Sequence, residues 1–127
     1  SVSKRDFGNK SRMNFDWWPG ADFDLLPGLR ELSIKENVYL ISPGSTTHAA
    51  ALVASGDFLA SVFAGTEGKN VDIAAAKVIV EEAGGKVTDI FGNDQRYDTG
   101  SIRGAIVSNG VVHEKVVNAL KYVGVKQ

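Results

Sequence analysis

Few side chains in this chain stand where types and spacing could do chemistry. Asp72 precedes a run in which Ile73, Ala76, Ile79, Val80 and Ala83 recur at helical spacing. A carboxylate at the positive end of a helix can satisfy backbone amides, or it can hold a divalent cation that in turn carries phosphate. On the residue pattern alone, the capping role has priority. A second candidate is Gly44-Ser45-Thr46, ahead of an alanine-rich stretch from His48 to Gly56. That spacing predicts a helix capped by Ser45 or Thr46, with free amides able to donate to an anion or to hydroxyl oxygens. Glu67 lies in Gly65-Thr66-Glu67-Gly68, a turn leading into the Asp72 helix.

Other chemistries are excluded or unsupported. The chain has no cysteine, which removes disulfides and thiolate metal clusters. His48 and His113 are far apart and form no metal-ligand spacing, and His48 has no acidic or nucleophilic neighbour, so it reads as a surface or packing residue. A net charge of −1 with both signs mixed provides no field for nucleic acid or an anionic membrane. No apolar run is long enough to cross a bilayer and no signal peptide is visible, so the expected location is cytoplasmic.

The elements that must position these residues follow from periodicity. With 127 residues, 43% hydrophobic and 23% charged, the chain reads as one globular domain, residues 1–127. Residues 1–36 read as a more peripheral segment. Ser1 to Met13, carrying Lys4, Arg5, Lys10 and Arg12, is expected to be a solvated surface stretch with a short edge strand and a mobile loop; its functional alternative is an anion-contacting loop. Trp17-Trp18 reads as a packing anchor or partner contact. A short helix is predicted over 22–32, with Pro27 in its first turn, and a strand over 37–41. A second strand over 58–64 is apolar almost throughout and expected to be buried on both faces. The Asp72 helix should stop at Gly84-Gly85, followed by a strand around Val87, a turn at 91–94, a loop over 95–103, a strand over 105–108 and a final helix over 112–123. Asp57 and Asp89 read as turn-boundary residues bonding backbone amides, and Glu81 and Glu82 as a solvated helix face. The alternation predicts an α/β fold, a mixed sheet covered by helices.

Two stretches resemble a known family. Gly44-Ser45, continuing to Ala54-Ser55-Gly56-Asp57, is similar to its G-[ST]-A…[AV]-x-G-x-x-D element. Val71-Asp72-Ile73-Ala74-Ala75-Ala76, continuing through Glu82-Ala83-Gly84-Gly85-Lys86-Val87-Thr88-Asp89 to Gly92, resembles its W-D-x-A-A-[GA]…E-A-G-G-x-[VL]-T-D…G signature. The family is that of the inositol monophosphatase-like, magnesium-dependent, lithium-sensitive phosphatases. The resemblance covers roughly residues 38 to 120 and is to the C-terminal half of the family's chain.

The resemblance implies the C-terminal α/β domain of a sandwich fold. It also implies hydrolysis of a phosphorylated small molecule, an inositol phosphate or sugar phosphate, with Mg2+ as cofactor. It makes Asp72 a metal ligand and puts Gly44, Ser45 and Thr46 against substrate hydroxyls. Three positions depart from the pattern: Val71 replaces the family's tryptophan, Ile41 an arginine, and Gly65 the acidic residue seven positions before Asp72, with Glu67 the candidate substitute. The family's remaining ligands belong to a Gly-Glu element and an Asp-Pro-x-Asp-Gly-Thr element, and this sequence has neither. One carboxylate cannot hold a catalytic pair of magnesium ions. The expected partner is therefore the missing N-terminal half, in cis or in trans, and the isolated chain is expected to be inactive. An apolar face left uncovered by that half predicts self-association into a homo-oligomer. The alternative reading is a non-catalytic binding or assembly module on the same scaffold.

Overall fold

The computed structural model of the chain describes residues 1–8, 11–17, 23–41, 51–64, 70–95, 103–121 and 124–125, with backbone alone for 70–72 and 124–125. Its elements are β1 (Ser11–Asp16), β2 (Phe23–Asp24), α1 (Leu26–Glu36), β3 (Val38–Ile41), helical residues 51–54 (α2), β4 (Ala60–Phe63), α3 (Asn70–Glu82), β5 (Lys86–Thr88), β6 (Ala105–Ser108), α4 (His113–Ala119) and β7 (Gly124–Val125).

Five strands form one mixed sheet in the order β3-β1-β4-β6-β5. β1 runs parallel to β3 and β4, while β6 runs antiparallel to β4 and β5. β2 and β7 form a separate antiparallel pair. The mixed sheet and its helices agree with the α/β architecture the sequence predicts.

Period-two alternation divides the core between the two faces of the sheet. Met13, Val38, Ala60, Val62 and Ile106 join Leu29 and Leu32 of α1 and Val116 of α4. Phe63, Val87, Ala105 and Val107 join Val53 of α2 and Ile73, Ala76 and Val80 of α3. β4 and β6 are buried at every position, which explains their near-continuous apolar sequence.

The N-terminal stretch departs from its reading. β1 is an interior strand with a parallel neighbour on each side, rather than an edge strand within Ser1 to Met13. Its alternation of Met13 and Phe15 with Asn14 and Asp16 carried that signal. Val2 and Phe7 pack against the two cores, and the Val2 amide donates to the Ala83 carbonyl at 3.0 Å, so this stretch is only partly a solvated surface. Trp17 is half-buried against the first core, and Trp18 lies outside the described residues.

Helix boundaries shift for identifiable reasons. α1 begins at Leu26 rather than Asp22, because Phe23–Asp24 pairs with β7; Pro27 still sits in the first turn. It ends where Asn37 adopts a left-handed conformation, φ 56°, and donates to the Ser33 carbonyl. α4 ends at Ala119, short of 123, because Gly124–Val125 is drawn into pairing with β2. α3 starts at Asn70, two residues before Asp72, and stops at the predicted glycines. Gly84 takes φ 96°, and the Gly85 amide returns to the Val80 carbonyl at 2.8 Å. A side chain at Gly85 would collide with the Ser108 carbonyl, so the α3-to-β5 turn admits no Cβ there. No helix among the described residues is long and apolar enough to cross a membrane.

Candidate functional site

The strand directions define one functional edge. Because β1, β3 and β4 are parallel, their C-terminal residues Asp16, Ile41 and Phe63 lie at the same end of the sheet. β6 is antiparallel to β4, with Ala105 opposite Phe63, and β5 is antiparallel to β6, so β6 begins and β5 ends at that same edge. In α/β sheets, ligands bind outside the carboxyl ends of the strands, where connecting segments and helix N-termini gather.

The candidate residues leave the sheet from this edge. Gly44, Ser45 and Thr46 follow the end of β3, and Glu67 follows the end of β4; these four, with His48, lie outside the described residues. Asp72 falls in the first turn of α3, as its third residue, with its backbone described and its side chain not. Its position is inside the helix rather than at the cap, and an acidic residue in the first turn is favourable to the helix dipole. Among the described residues, no three of His, Cys, Asp and Glu come together where they could hold a metal ion.

A polar hub that the sequence reading did not assemble braces this edge. Asp89, just past the end of β5, is fully buried. Its Oδ1 accepts from the amides of Phe91 at 2.8 Å and Asn93 at 2.9 Å, which is the turn-boundary role expected of it. Its Oδ2 lies 2.8 Å from an Arg103 guanidinium nitrogen in an ionic contact. Of the stretch predicted as loop over 95–103, only Gln95 and Arg103 are among the described residues, and they are joined to each other. Gln95 accepts from the Arg103 amide at 3.0 Å and donates to the Gly104 carbonyl at 2.6 Å, acting as a substitute strand partner at the start of β6. Gly104 takes φ 60°, and a Cβ there would strike the Ile90 side chain and the Phe63 carbonyl. This close approach locks the hub to the end of β4, from which the chain departs toward Glu67 and Asp72. Asp57 also acts structurally, accepting from the Ser55 hydroxyl at 2.7 Å.

His113 is buried behind the hub. Thr88 donates its hydroxyl to the Asp89 carbonyl at 2.8 Å, which leaves its oxygen to accept from His113 Nε2–H at 2.8 Å. Nδ1 then accepts from the Ser108 hydroxyl at 2.6 Å, and the Ser108 oxygen accepts from the Gly110 amide at 3.0 Å. The chain of donors is ordered throughout and requires the neutral Nε2–H tautomer. Burial, with Lys86 nearby, pushes the imidazole down to about 4. With no carboxylate bonded to the imidazole and with His113 buried, the Ser108–His113 contact is a structural brace rather than a nucleophile and base. Spacing alone could not reveal it, because Thr88 and His113 lie 25 positions apart.

Comparison with known proteins places this geometry in context. The model of the inositol monophosphatase family matches residues 24–124. An uncharacterized 22 kDa protein of Leptospira biflexa is 46% identical over 55 residues, which make up 43% of this chain and 28% of that one. Among solved structures, the fold is similar to an inositol monophosphatase family protein from Staphylococcus aureus, with a TM-score of 0.76 and 24% identity over 99% of this chain and 46% of that one. It is also similar to an IMPase/NADP phosphatase complexed with Mg2+ and phosphate, with a TM-score of 0.73 and 21% identity over 98% of this chain and 44% of that one. The chain thus spans less than half the length of the solved structures it matches.

Proposed function

The chain belongs to the inositol monophosphatase family, and from that membership we propose that it is the C-terminal α/β part of a magnesium-dependent phosphomonoesterase acting on an inositol phosphate or a sugar phosphate. One observation carries this reading. The family match takes in the whole of α3, whose first turn contains Asp72. The Mg2+ and phosphate named for one solved neighbour support the choice of cation and substrate class.

Within this reading, Asp72 is a magnesium ligand. The backbone of Gly44, Ser45 and Thr46 contacts substrate hydroxyls, and Glu67 takes the place of the family's acidic residue. Bound magnesium supplies polarisation of the phosphoryl group and a lowered water pKa. The ion needs several oxygen ligands, and the sequence carries neither the Gly-Glu nor the Asp-Pro-x-Asp-Gly-Thr element. The remaining ligands are therefore assigned to the family's other half, in cis or in trans, and the isolated chain is inactive.

The test is phosphate release from a panel of inositol and sugar monophosphates with magnesium, with this chain joined to that half. The joined protein is expected to hydrolyse at least one of them, and Asp72→Asn to lower the rate by roughly two orders of magnitude. An unchanged rate in that variant would reject the role given to Asp72. A stable complex that releases no phosphate from any of the panel would favour the non-catalytic module instead.

A further inference from the structure

Asn109 and Gly110 stand where β6 hands the chain on toward α4, at the end of the sheet opposite the functional edge. An Asn-Gly pair is prone to lose the side-chain amide. The glycine nitrogen closes on the asparagine Cγ to form a five-membered imide, and glycine has no Cβ to hinder the approach. Closure needs a carboxamide free to turn and a backbone nitrogen free to give up its proton.

In the folded chain both groups are held. Asn109 is buried, and its own amide donates to the Leu59 carbonyl at 3.0 Å. Its Nδ2 donates to the Arg5 carbonyl at 2.8 Å, and its Oδ1 accepts from the Val112 amide at 3.2 Å. The Gly110 amide donates to the Ser108 hydroxyl oxygen at 3.0 Å, and that hydroxyl is fixed by its bond to His113. The bond to Arg5 also clasps the N-terminal stretch. It lies between the Val2 amide, which donates to the Ala83 carbonyl at 3.0 Å, and Asp6, which meets Lys115 in an exposed ion pair. Residues 1–8 thus form a strap whose middle fastening is the Asn109 amide.

We propose that Asn109 is a deamidation site that the Ser108–His113 link keeps closed, and that its conversion unclasps the strap. In the reaction a bond forms between the Gly110 nitrogen and Asn109 Cγ, and the bond from Cγ to Nδ2 breaks. The Gly110 amide proton leaves with Nδ2 as ammonia. Water then opens the imide at either carbonyl, leaving aspartate or isoaspartate. In aspartate an oxygen replaces the nitrogen that donated to Arg5, so a charged acceptor faces a carbonyl. Isoaspartate lengthens the main chain by one carbon and draws the carboxylate off that bond. Neither step involves Asp72, so the proposal stands apart from the phosphatase reading.

The experiment incubates the purified chain, and a synthetic peptide of residues 105–112, in the same mildly alkaline buffer. Aspartate and isoaspartate at position 109 are followed by mass spectrometry after digestion. The peptide should convert on the order of tenfold or more faster than the folded chain. Ser108→Ala should speed conversion in the folded chain several-fold with an unchanged circular dichroism spectrum; His113→Gln, which frees the same hydroxyl, serves if that variant does not fold. The strap is read by limited trypsin digestion. Deamidated protein, separated by its added negative charge, and Asn109→Asp should both be cut after Lys4 and Arg5 several-fold faster than the parent, with cutting at exposed Lys35 unchanged. Equal conversion in chain and peptide, no acceleration in the folded variant, or equal cutting after Arg5 would each overturn the proposal.

Discussion

The two helical layers of this molecule turn very different surfaces outward. The α1 and α4 layer exposes Arg30, Glu31, Lys35, Glu114 and Lys115, with Leu26 and Ile34 among them. Lys115 ties the layer together, meeting Glu36 at 3.0 Å and Asp6 at 3.1 Å. Those bonds, to Glu36 first, hold its ammonium above the ordinary lysine range, and Lys115 in turn holds the Asp6 carboxyl below its usual value. The α3 layer presents Ala75, Val78 and Ile79, with Glu81 and Glu82 only at its C-terminal end. Both layers bury an inner stripe against the same sheet, so stability in this chain comes from the inner stripes. The outer surfaces differ in the share of apolar side chains they leave exposed.

The largest expected effect tests that division. Leu29→Ala under the first layer and Ile73→Ala under the second should each cost about 2–5 kcal/mol, read by urea denaturation, since both side chains are fully buried. Val78→Ser should change stability by no more than about 0.5 kcal/mol while lowering the binding of an apolar-surface dye; Ile34→Ser should leave dye binding nearly unchanged. Equal dye responses would dissolve the contrast between the layers.

Next in size is the acid response of His113, which joins α4 to the edge-bracing hub. Its folded value of about 4 lies below the 6.5 of a free imidazole, so the unfolded chain binds the extra proton first. Stability is thus fully present above about pH 6.5 and falls as pH drops toward 4, by on the order of 2–3 kcal/mol. His113→Gln should flatten that part of the stability–pH curve, measured by denaturation across the range. The smallest effect belongs to Lys115→Met, since Lys115 and Asp6 are exposed and Glu36 is half-buried; its unfolding midpoint should stay close to wild type in moderate salt.

Much of the fold was legible because its signals are local. The apolar runs of β4 and β6, the helical spacing after Asp72 and the glycine pair that ends α3 each state a conformation within a few residues of themselves. β1 carried an equally local alternation, but its basic flank masked it, and only pairing with β3 and β4 shows it as interior. The α1 and α4 boundaries depended on the β2–β7 pairing between segments about a hundred positions apart, which no local spacing announces.

The sequence by itself determined the α/β class, the helix that bears Asp72 and the family, because periodicity and a long motif are properties of the chain's order. Tertiary structure alone decided that Asp89, Arg103, Gln95 and Gly104 brace one edge, that His113 is a neutral buried link, and that Val78 and Ile79 face outward uncovered. Those outcomes depend on which distant segments meet in three dimensions, and burial and pairing are set only when the sheet brings them together.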